Sequence, residues 1–307
     1  MLRHSLSIRR RELLMSAAAG VAACGSIAAA AADDSQPTHN KICVFTKPFN
    51  SLSFDELADR MAEIGVDGIE APIRKGGHVE PDEVEERLPR LVEALRKRNL
   101  EITVMTTDVN DPENPLTERV LRTAATLGIK RYRMKYFKYD LNQSVLAQLD
   151  EWRPQIRDLA AMNHDFGIQG LYQNHAGRDY MGASLWDLRL AMKGIANKDI
   201  GLAYDIRHAT AEGGMAWQAT LNMIRPMIET LYVKDFIWKQ GEARPVNVPL
   251  GEGRVDRKFL KIVQRTDFAG PISLHEEYLD HRRPEIVPQH LSAIKQDVET
   301  LRNWLAN

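Results

Sequence analysis

The sequence predicts an α/β fold, a single (β/α)₈ TIM barrel. Short β-type apolar runs alternate with helical patterns along most of the 307 residues, and such alternation is typical of a parallel sheet. The runs number eight, which is the number that closes a barrel. A doubly wound open sheet is the alternative. No G-x-G-x-x-G follows the first strand, which counts against a dinucleotide fold and predicts no nucleotide cofactor.

The predicted strands are defined by their apolar content and by the turn residues around them. In chain order they are KICVFT, GVDGIEAP, LEITVMTT, IKRYRMKYF, GIQGLYQ, IGLAYDI, TLYVKDF and GPISLHEE.

The intervening helices are predicted from their end signals. Ser53 and Glu56 form an S-x-x-E capping box, and Gly65 suits the position just after the first helix. Pro81 and Pro115 lie where the first turn of a helix accepts proline, and Gly128 and Gly167 follow the ends of predicted helices. Ser184 can cap the next helix, and residues 286–305 form the last one.

The first 32 residues have the features of an export signal. Arg10-Arg11 precede Leu13-Leu14 and an alanine-rich stretch that is too short to span a bilayer. Paired arginines resemble a twin-arginine signal, which predicts a periplasmic or otherwise extracytoplasmic protein with no transmembrane span. Residues 1–32 are then removed, 33–40 form a linker, and 41–307 form the barrel domain. As an alternative, the run ending in Cys24 resembles a lipoprotein box, with a lipid anchor at Cys24.

Composition narrows the class of partner. The formal net charge is −1 and 27% of residues are charged, so no general basic field attracts nucleic acid. Removal or lipidation of Cys24 leaves Cys43, which predicts a buried core thiol and no disulfide. A homo-oligomer is compatible with the sequence.

Polar side chains follow the predicted strands, where the active site of such a barrel lies. They are Lys47, Glu70, Arg74, His78, Thr106, Asp108, Arg133, Lys135, Gln173, Asn174, His175, Asp205, His208, Lys234, Asp235, His275, Glu276 and Glu277. Strand parity places His275 and Glu277 on one face and Glu276 on the other, and it separates Asn174 from Gln173 and His175.

Several of these segments are similar to one superfamily. IEAPIRKGGHV, QNHAG, AYDIRHA, YVKD, VPLGEGRVD and SLHEEY, in this order, resemble the xylose-isomerase-like TIM barrels, which include sugar phosphate isomerases and epimerases. The resemblance covers residues 41–305. It implies an enzyme of carbohydrate metabolism with a small carbohydrate as its substrate.

The resemblance also implies one divalent ion held by Glu, Asp, His and Glu. The corresponding positions here are Gln173, Asp205, Tyr232 and His275, so only Asp205 matches. Asp205, Gln173 and His275 remain candidate ligands for Mn²⁺, Zn²⁺, Co²⁺ or Mg²⁺, and a site without metal is equally expected. The resemblance favours Gln173 as a sugar ligand because Tyr232 leaves the ion short of a donor.

The expected chemistry is proton abstraction next to a carbonyl, through an enediolate, on a non-phosphorylated or keto sugar. Glu70 and Glu277 are the candidate acid/base pair, with His275 as a third group and Lys135 among the groups that polarise the oxygen. The expected substrate contacts are Arg74, His78, Gln173, Asn174, His175, His208 and Lys234. The alternatives are a keto-glycoside lyase or hydrolase on the same barrel and a non-catalytic sugar-binding barrel.

Overall fold

A computed structural model describes residues 40–265 and 268–306. The predicted export signal and the linker residues up to 39 lie outside this range. Eight parallel strands close into a barrel, which confirms the predicted fold. They are β1 (Ile42–Phe45), β2 (Gly68–Ile73), β3 (Glu101–Thr107), β4 (Arg131–Arg133), β5 (Gln169–Gln173), β6 (Ile200–Asp205), β7 (Ile228–Val233) and β10 (Ile272–Leu274).

The barrel closes between its first and last strands. Ile42 pairs with Ile272 in parallel register, and β10 also pairs with β7. A short antiparallel hairpin, β8 (Asp235–Ile237) and β9 (Val246–Val248), follows β7. Trp238 lies in the loop that joins these two strands.

Helices surround the strands. They are α1 (Phe54–Ile64), α2 (Val84–Arg96), α3 (Pro115–Thr126), α4 (Val145–Phe166), α5 (Trp186–Ala191), α6 (Ile206–Gly213), α7 (Trp217–Ile224), α8 (Lys258–Gln264) and α9 (Val287–Ala306). In the described part of the chain, none of them has the length and apolar character needed to cross a bilayer.

Most end signals of the helices hold. Pro81 begins a 3₁₀ turn, Pro81–Glu83, that leads into α2 at Val84. The Ser53–Glu56 capping box forms, and Gly65 takes the left-handed conformation with φ of 78°. The predicted cap at Ser184 is wrong, because α5 begins one residue later with Leu185 as its cap. The Ser184 hydroxyl instead donates to Asp187 at 3.1 Å.

The core has two parts, as expected for this architecture. The large part packs the outer faces of the strands against the helices. A small cluster, Val104, Leu171, Ala203 and Tyr232, fills the barrel interior. Because this cluster fills the interior, inward-facing side chains can line an open pocket at the carboxyl ends of the strands.

Candidate active site at the barrel mouth

A pocket of about 150 Å³ lies at the carboxyl ends of the strands. We call it the inner pocket. Its lining residues are Phe45, Lys47, Glu70, Arg74, Arg133, Tyr136, Gln173, His175, Lys234, His275 and Glu277. Every side chain in this set except Phe45 carries a polar group, so the pocket suits a polar ligand such as a sugar.

Glu70 and His275 form one wall of the inner pocket. Glu70 is fully buried on β2, and its Oε2 accepts from His275 Nε2 at 2.8 Å and from Ser273 Oγ at 2.6 Å. Thr106 Oγ1 donates to its other oxygen. The His275 ring lies between those of Phe45 and Tyr232, at centroid distances of 4.8 and 4.5 Å.

The Glu70 carboxylate is ionised. Burial opposes its ionisation, but His275, Arg133 and the Ser273 hydroxyl outweigh burial and lower its pKa to about 2. With three donors, this carboxylate is a weak base. It fixes the His275 imidazole with a proton on Nε2, and His275 Nδ1 has no hydrogen-bond partner among the described residues.

Gln173 connects two walls of the pocket. Its Oε1 accepts from Arg133 Nη1 at 3.1 Å and from the Tyr136 hydroxyl. Its Nε2 donates to Asp205 Oδ2 at 2.8 Å. Two donors on one side and a carboxylate on the other determine the orientation of the amide. The amide nitrogen therefore faces Asp205, whereas a metal ligand would have to turn its oxygen there.

Lys234 lies between two carboxylates on the opposite wall. Its Nζ is 2.7 Å from Glu277 Oε2 and 3.2 Å from Asp205 Oδ2. Asp205 is fully buried and also caps α6, because its Oδ1 accepts from the His208 backbone N–H at 3.0 Å. Glu277 is the more accessible partner, with 30% of its side chain exposed.

The charges on this wall reinforce one another. Burial alone would lower the pKa of Lys234, but Asp205 and Glu277 outweigh burial and raise it. Burial likewise opposes ionisation of Glu277, but Lys234, His275 and Lys47 hold its pKa well below the usual range. At neutral pH the wall therefore carries a buried ammonium between two carboxylates.

This arrangement does not fit a divalent ion. The Lys234 ammonium already neutralises Asp205, and the Gln173 N–H rather than its oxygen faces the same carboxylate. His275 directs Nε2 at Glu70. In the described ranges, no group of three or more His, Cys, Asp or Glu side chains is placed to hold a metal. The expected ligands Asp205, Gln173 and His275 therefore do not converge on one point.

His175 and His208 stack at the edge of the inner pocket, with ring centroids 4.1 Å apart. Burial and Lys234 lower the pKa of His175 to about 4, and the same causes hold that of His208 well below its usual value. Both rings are therefore neutral at physiological pH. His175 Nδ1 donates to the Ala176 carbonyl at 2.8 Å, so its Nε2 is left as an acceptor.

Two larger cavities adjoin the inner pocket. One, of about 730 Å³, shares Lys47 and Arg74 with it and is called the basic cavity below. The other, of about 780 Å³, shares His175 and Glu277 with it and is called the aromatic cavity, after Tyr180 and Trp238 in its lining. Each of the two larger cavities therefore shares two lining residues with the inner pocket.

Several predicted site residues lie elsewhere. His78 is buried and bonds Thr46 Oγ1 through Nε2 at 2.8 Å. Asn174 bonds the backbone N–H and C=O of Asp205, at 2.8 and 3.0 Å, and so ties β5 to β6. His208 lines the aromatic cavity rather than the inner pocket. Lys135 is exposed and lines the basic cavity, so it does not reach the position expected of a catalytic group.

Two further strand-end acids are structural. Glu276 bonds the buried His290 of α9 and the backbone N–H groups of residues 278 and 279. Asp235 accepts from four backbone N–H groups, three of them in the VPLGEGRVD loop. Gly253 permits this approach, since a Cβ there would lie 2.2 Å from Asp235 Oδ1. The loop is therefore held by Asp235.

Three residues of the site were not assigned a role from the sequence. Arg133 and Tyr136 donate hydrogen bonds that fix the orientation of the Gln173 amide, and the Ser273 hydroxyl donates to the Glu70 carboxylate. Ser273 could have been found, because it precedes His275 by two residues and so shares its face. Tyr136 lies in a loop after the short strand β4, where strand parity gives no guide.

Comparisons with known proteins place the chain in a family. The family description Xylose isomerase-like TIM barrel matches residues 58–304. Comparison with curated proteins gave no match.

Solved structures share the fold at low identity. A 3-keto-D-glucoside 4-epimerase from E. coli is 17% identical, with a TM-score of 0.63 over 86% of this chain and 100% of that one. A D-psicose 3-epimerase from Clostridium cellulolyticum is 9% identical, with a TM-score of 0.65 over 86% and 99%. A probable 3-DHS dehydratase from Bacillus anthracis is 16% identical, with a TM-score of 0.63 over 83% and 98%.

The match covers most of the chain, and the closed eight-stranded barrel agrees with it. This chain belongs to the xylose isomerase-like TIM barrel family.

Proposed function

We propose that this barrel is a sugar isomerase or epimerase that moves a proton at a carbon next to a carbonyl. One observation carries the proposal. Two acid/base pairs, Glu70–His275 and Lys234–Glu277, line the same small pocket. Removing a proton and returning it to another face or carbon needs two such groups.

His275 and Glu277 are the proposed proton-transferring residues. His275 Nδ1 is the free nitrogen of an imidazole whose other nitrogen is held by Glu70, so Glu70 acts as a positioning residue. Glu277 Oε2 pairs with Lys234, and Oε1 has no donor among the described residues. Glu277 is ionised and more accessible than Glu70, so it can reach a substrate proton, and it becomes a strong base only when its pairing with Lys234 weakens.

Lys234 is the proposed electrophile. As a C–H bond breaks, its electron pair moves into the carbonyl, and negative charge develops on the carbonyl oxygen. A buried ammonium in a site with little water stabilises such charge strongly. If Lys234 turned toward that oxygen, its pairing with Glu277 would weaken and Glu277 would become a stronger base.

The remaining polar groups would bind hydroxyls. The Arg133 guanidinium presents donors, and His175 Nε2 presents an acceptor. The similar structures include epimerases acting on a keto-glucoside and on psicose, which supports a keto sugar as the substrate.

A second candidate is a keto-glycoside lyase on the same barrel. The aromatic cavity favours it, because this cavity adjoins Glu277 and offers Tyr180 and Trp238 as surfaces for an aglycone. The same proton abstraction would then expel the substituent on the neighbouring carbon with its bonding electrons.

The test is proton NMR of the barrel domain with keto sugars and 3-keto-glucosides in D₂O. Turnover should replace a substrate hydrogen next to the carbonyl with deuterium. Glu277→Gln and His275→Gln should each slow exchange by about 100-fold or more, whereas Gln264→Glu, on the exposed end of α8, should not. An isomer as product supports the first candidate and a free aglycone the second. Binding without exchange would refute both and leave a sugar-binding barrel.

A further inference from the structure

The basic cavity carries an unusual concentration of positive charge. Lys47, Arg74, Lys75, Lys135 and Arg282 line it, against the single carboxylate of Asp108. The whole protein has a formal net charge of −1. The positive charge is therefore a local feature of this cavity and not a general property of the surface.

Most of these cations have no acidic partner. Arg282 pairs with Asp280 at 2.8 Å. In the part of the chain that the structure describes, no carboxylate lies within ion-pair distance of Lys47, Arg74, Lys75 or Lys135. Asp108 is already engaged, because its Oδ2 accepts from the Lys75 backbone N–H at 3.0 Å.

The cations also repel one another. Burial lowers the pKa of Arg74, and the neighbouring Arg133 lowers it further against the opposing effects of Asp108, Tyr136 and Glu70. Burial lowers the pKa of Lys47, and Arg74, Lys234 and Arg133 add to the effect against the opposing charge of Glu277. An anion bound among these side chains would relieve the repulsion.

The basic cavity adjoins the proposed reaction site. Lys47 and Arg74 line both the basic cavity and the inner pocket. The inner pocket, at about 150 Å³, is smaller than the ~300–1,000 Å³ of most ligand sites. A substrate centred there must extend into an adjoining cavity.

We propose that the basic cavity binds an anionic substituent of the substrate, a carboxylate or a sulfate or phosphate ester, and that the substrate is therefore an acidic sugar. This inference rests on the proposed function for the reacting end of the substrate. Arg74 offers the planar guanidinium that pairs with such groups through two hydrogen bonds. Lys75 and Lys135 add charge from the exposed rim.

Calorimetric titration tests the proposal with defined probes. The probes are inorganic sulfate, D-glucuronate, D-glucose 6-sulfate, D-glucose 6-phosphate and neutral D-glucose. The variants are Lys75→Gln, Lys135→Gln and the two combined, and both residues are exposed, so the fold should survive. Lys130→Gln is the matched control, an exposed lysine that directly precedes β4, at the opposite end of the barrel.

In wild type, sulfate and at least one acidic sugar should bind more tightly than D-glucose. Each single variant should weaken anion binding about threefold to tenfold, and 0.5 M NaCl should weaken it as well. Lys130→Gln should change nothing. The tightest of the three acidic sugars identifies whether the anion is a carboxylate, a sulfate or a phosphate.

The two proposals fail in different ways. Acidic and neutral sugars that bind equally, with no effect of the lysine variants or of salt, would overturn the anion site even if sugars undergo exchange in D₂O. Lysine-dependent sulfate binding in a protein that shows no exchange with any sugar would support the anion site and refute the proposed function.

Discussion

The Gln173 amide donates to Asp205, with 2.8 Å between Nε2 and Oδ2. A carboxylate at position 173 would set two negative oxygens against each other at this distance. Arg133 and Tyr136 would still donate to the other oxygen. The hydrogen bond therefore accounts for an amide at the position where the resemblance implies a glutamate.

Gln173→Glu should consequently gain no divalent-ion site. We expect titration of Mn²⁺ to show no stoichiometric binding in either wild type or variant, because Lys234 already neutralises Asp205. The variant should also lose about 1–3 kcal/mol of unfolding free energy, since a donor is lost in a buried network. Gln264→Glu, exposed on α8, controls for the added charge. One-to-one Mn²⁺ binding in wild type would contradict this account.

Lys234→Met should remove the electrophile while keeping an unbranched side chain that is one atom shorter. We expect activity to fall by about 100-fold to 1,000-fold, and the unfolding free energy to fall by about 3–5 kcal/mol because two carboxylates lose their partner. Exchange rates in D₂O and chemical denaturation measure the two effects. Lys130→Met is the control. Near-wild-type exchange by a folded Lys234→Met protein would be incompatible with the proposed role.

Glu70 should make stability depend on pH. Its folded-state pKa is depressed to about 2 from an ordinary 4.5, so it contributes stability above about pH 4.5 that is lost as pH falls toward 2. The contribution is about 3 kcal/mol. Denaturation midpoints of wild type should therefore drop over this range more steeply than those of Glu70→Gln. Glu101→Gln, which removes an exposed ion pair with Lys41, should keep the wild-type slope; identical slopes in all three proteins would contradict the prediction.

Export remains a prediction from the sequence alone, because residues 1–39 lie outside the described range. Replacing Arg10 and Arg11 by Lys should retain the protein in the cytoplasm, whereas Arg3→Lys should not. Cell fractionation measures the outcome, and the mass of the mature N-terminus distinguishes cleavage near Ala32 from lipidation at Cys24. Export of the double variant at the wild-type level would count against a twin-arginine signal.

The fold could be predicted from the sequence because it depends on local patterns. Eight apolar runs and the caps around Ser53, Gly65 and Gly167 are properties of adjacent residues. Strand parity likewise separated the inward His275 from the outward Glu276, which bonds α9 instead. These inferences needed no knowledge of which strands are neighbours.

The roles within the site could not be predicted in the same way. Lys234 reaches Asp205 and Glu277 only because β6, β7 and β10 are adjacent in the closed barrel. The orientation of Gln173 depends on Arg133 and Tyr136, from β4 and its loop. His78 and Asn174 also follow strands, so the sequence does not distinguish them from binding residues. In the structure, His78 is hydrogen-bonded to Thr46 and Asn174 to the Asp205 backbone, so their polar groups do not face the pocket.

We propose that His275 and Glu277 transfer a proton beside the Lys234 ammonium without a divalent ion. The most direct measurement is the rate of deuterium incorporation in D₂O by the barrel domain after exhaustive treatment with a chelator, using keto sugars, 3-keto-glucosides and acidic sugars. We expect exchange next to the carbonyl at the same rate before and after chelation, and loss of exchange in Glu277→Gln. Exchange that stops on chelation and returns with Mn²⁺ or Zn²⁺ would contradict it.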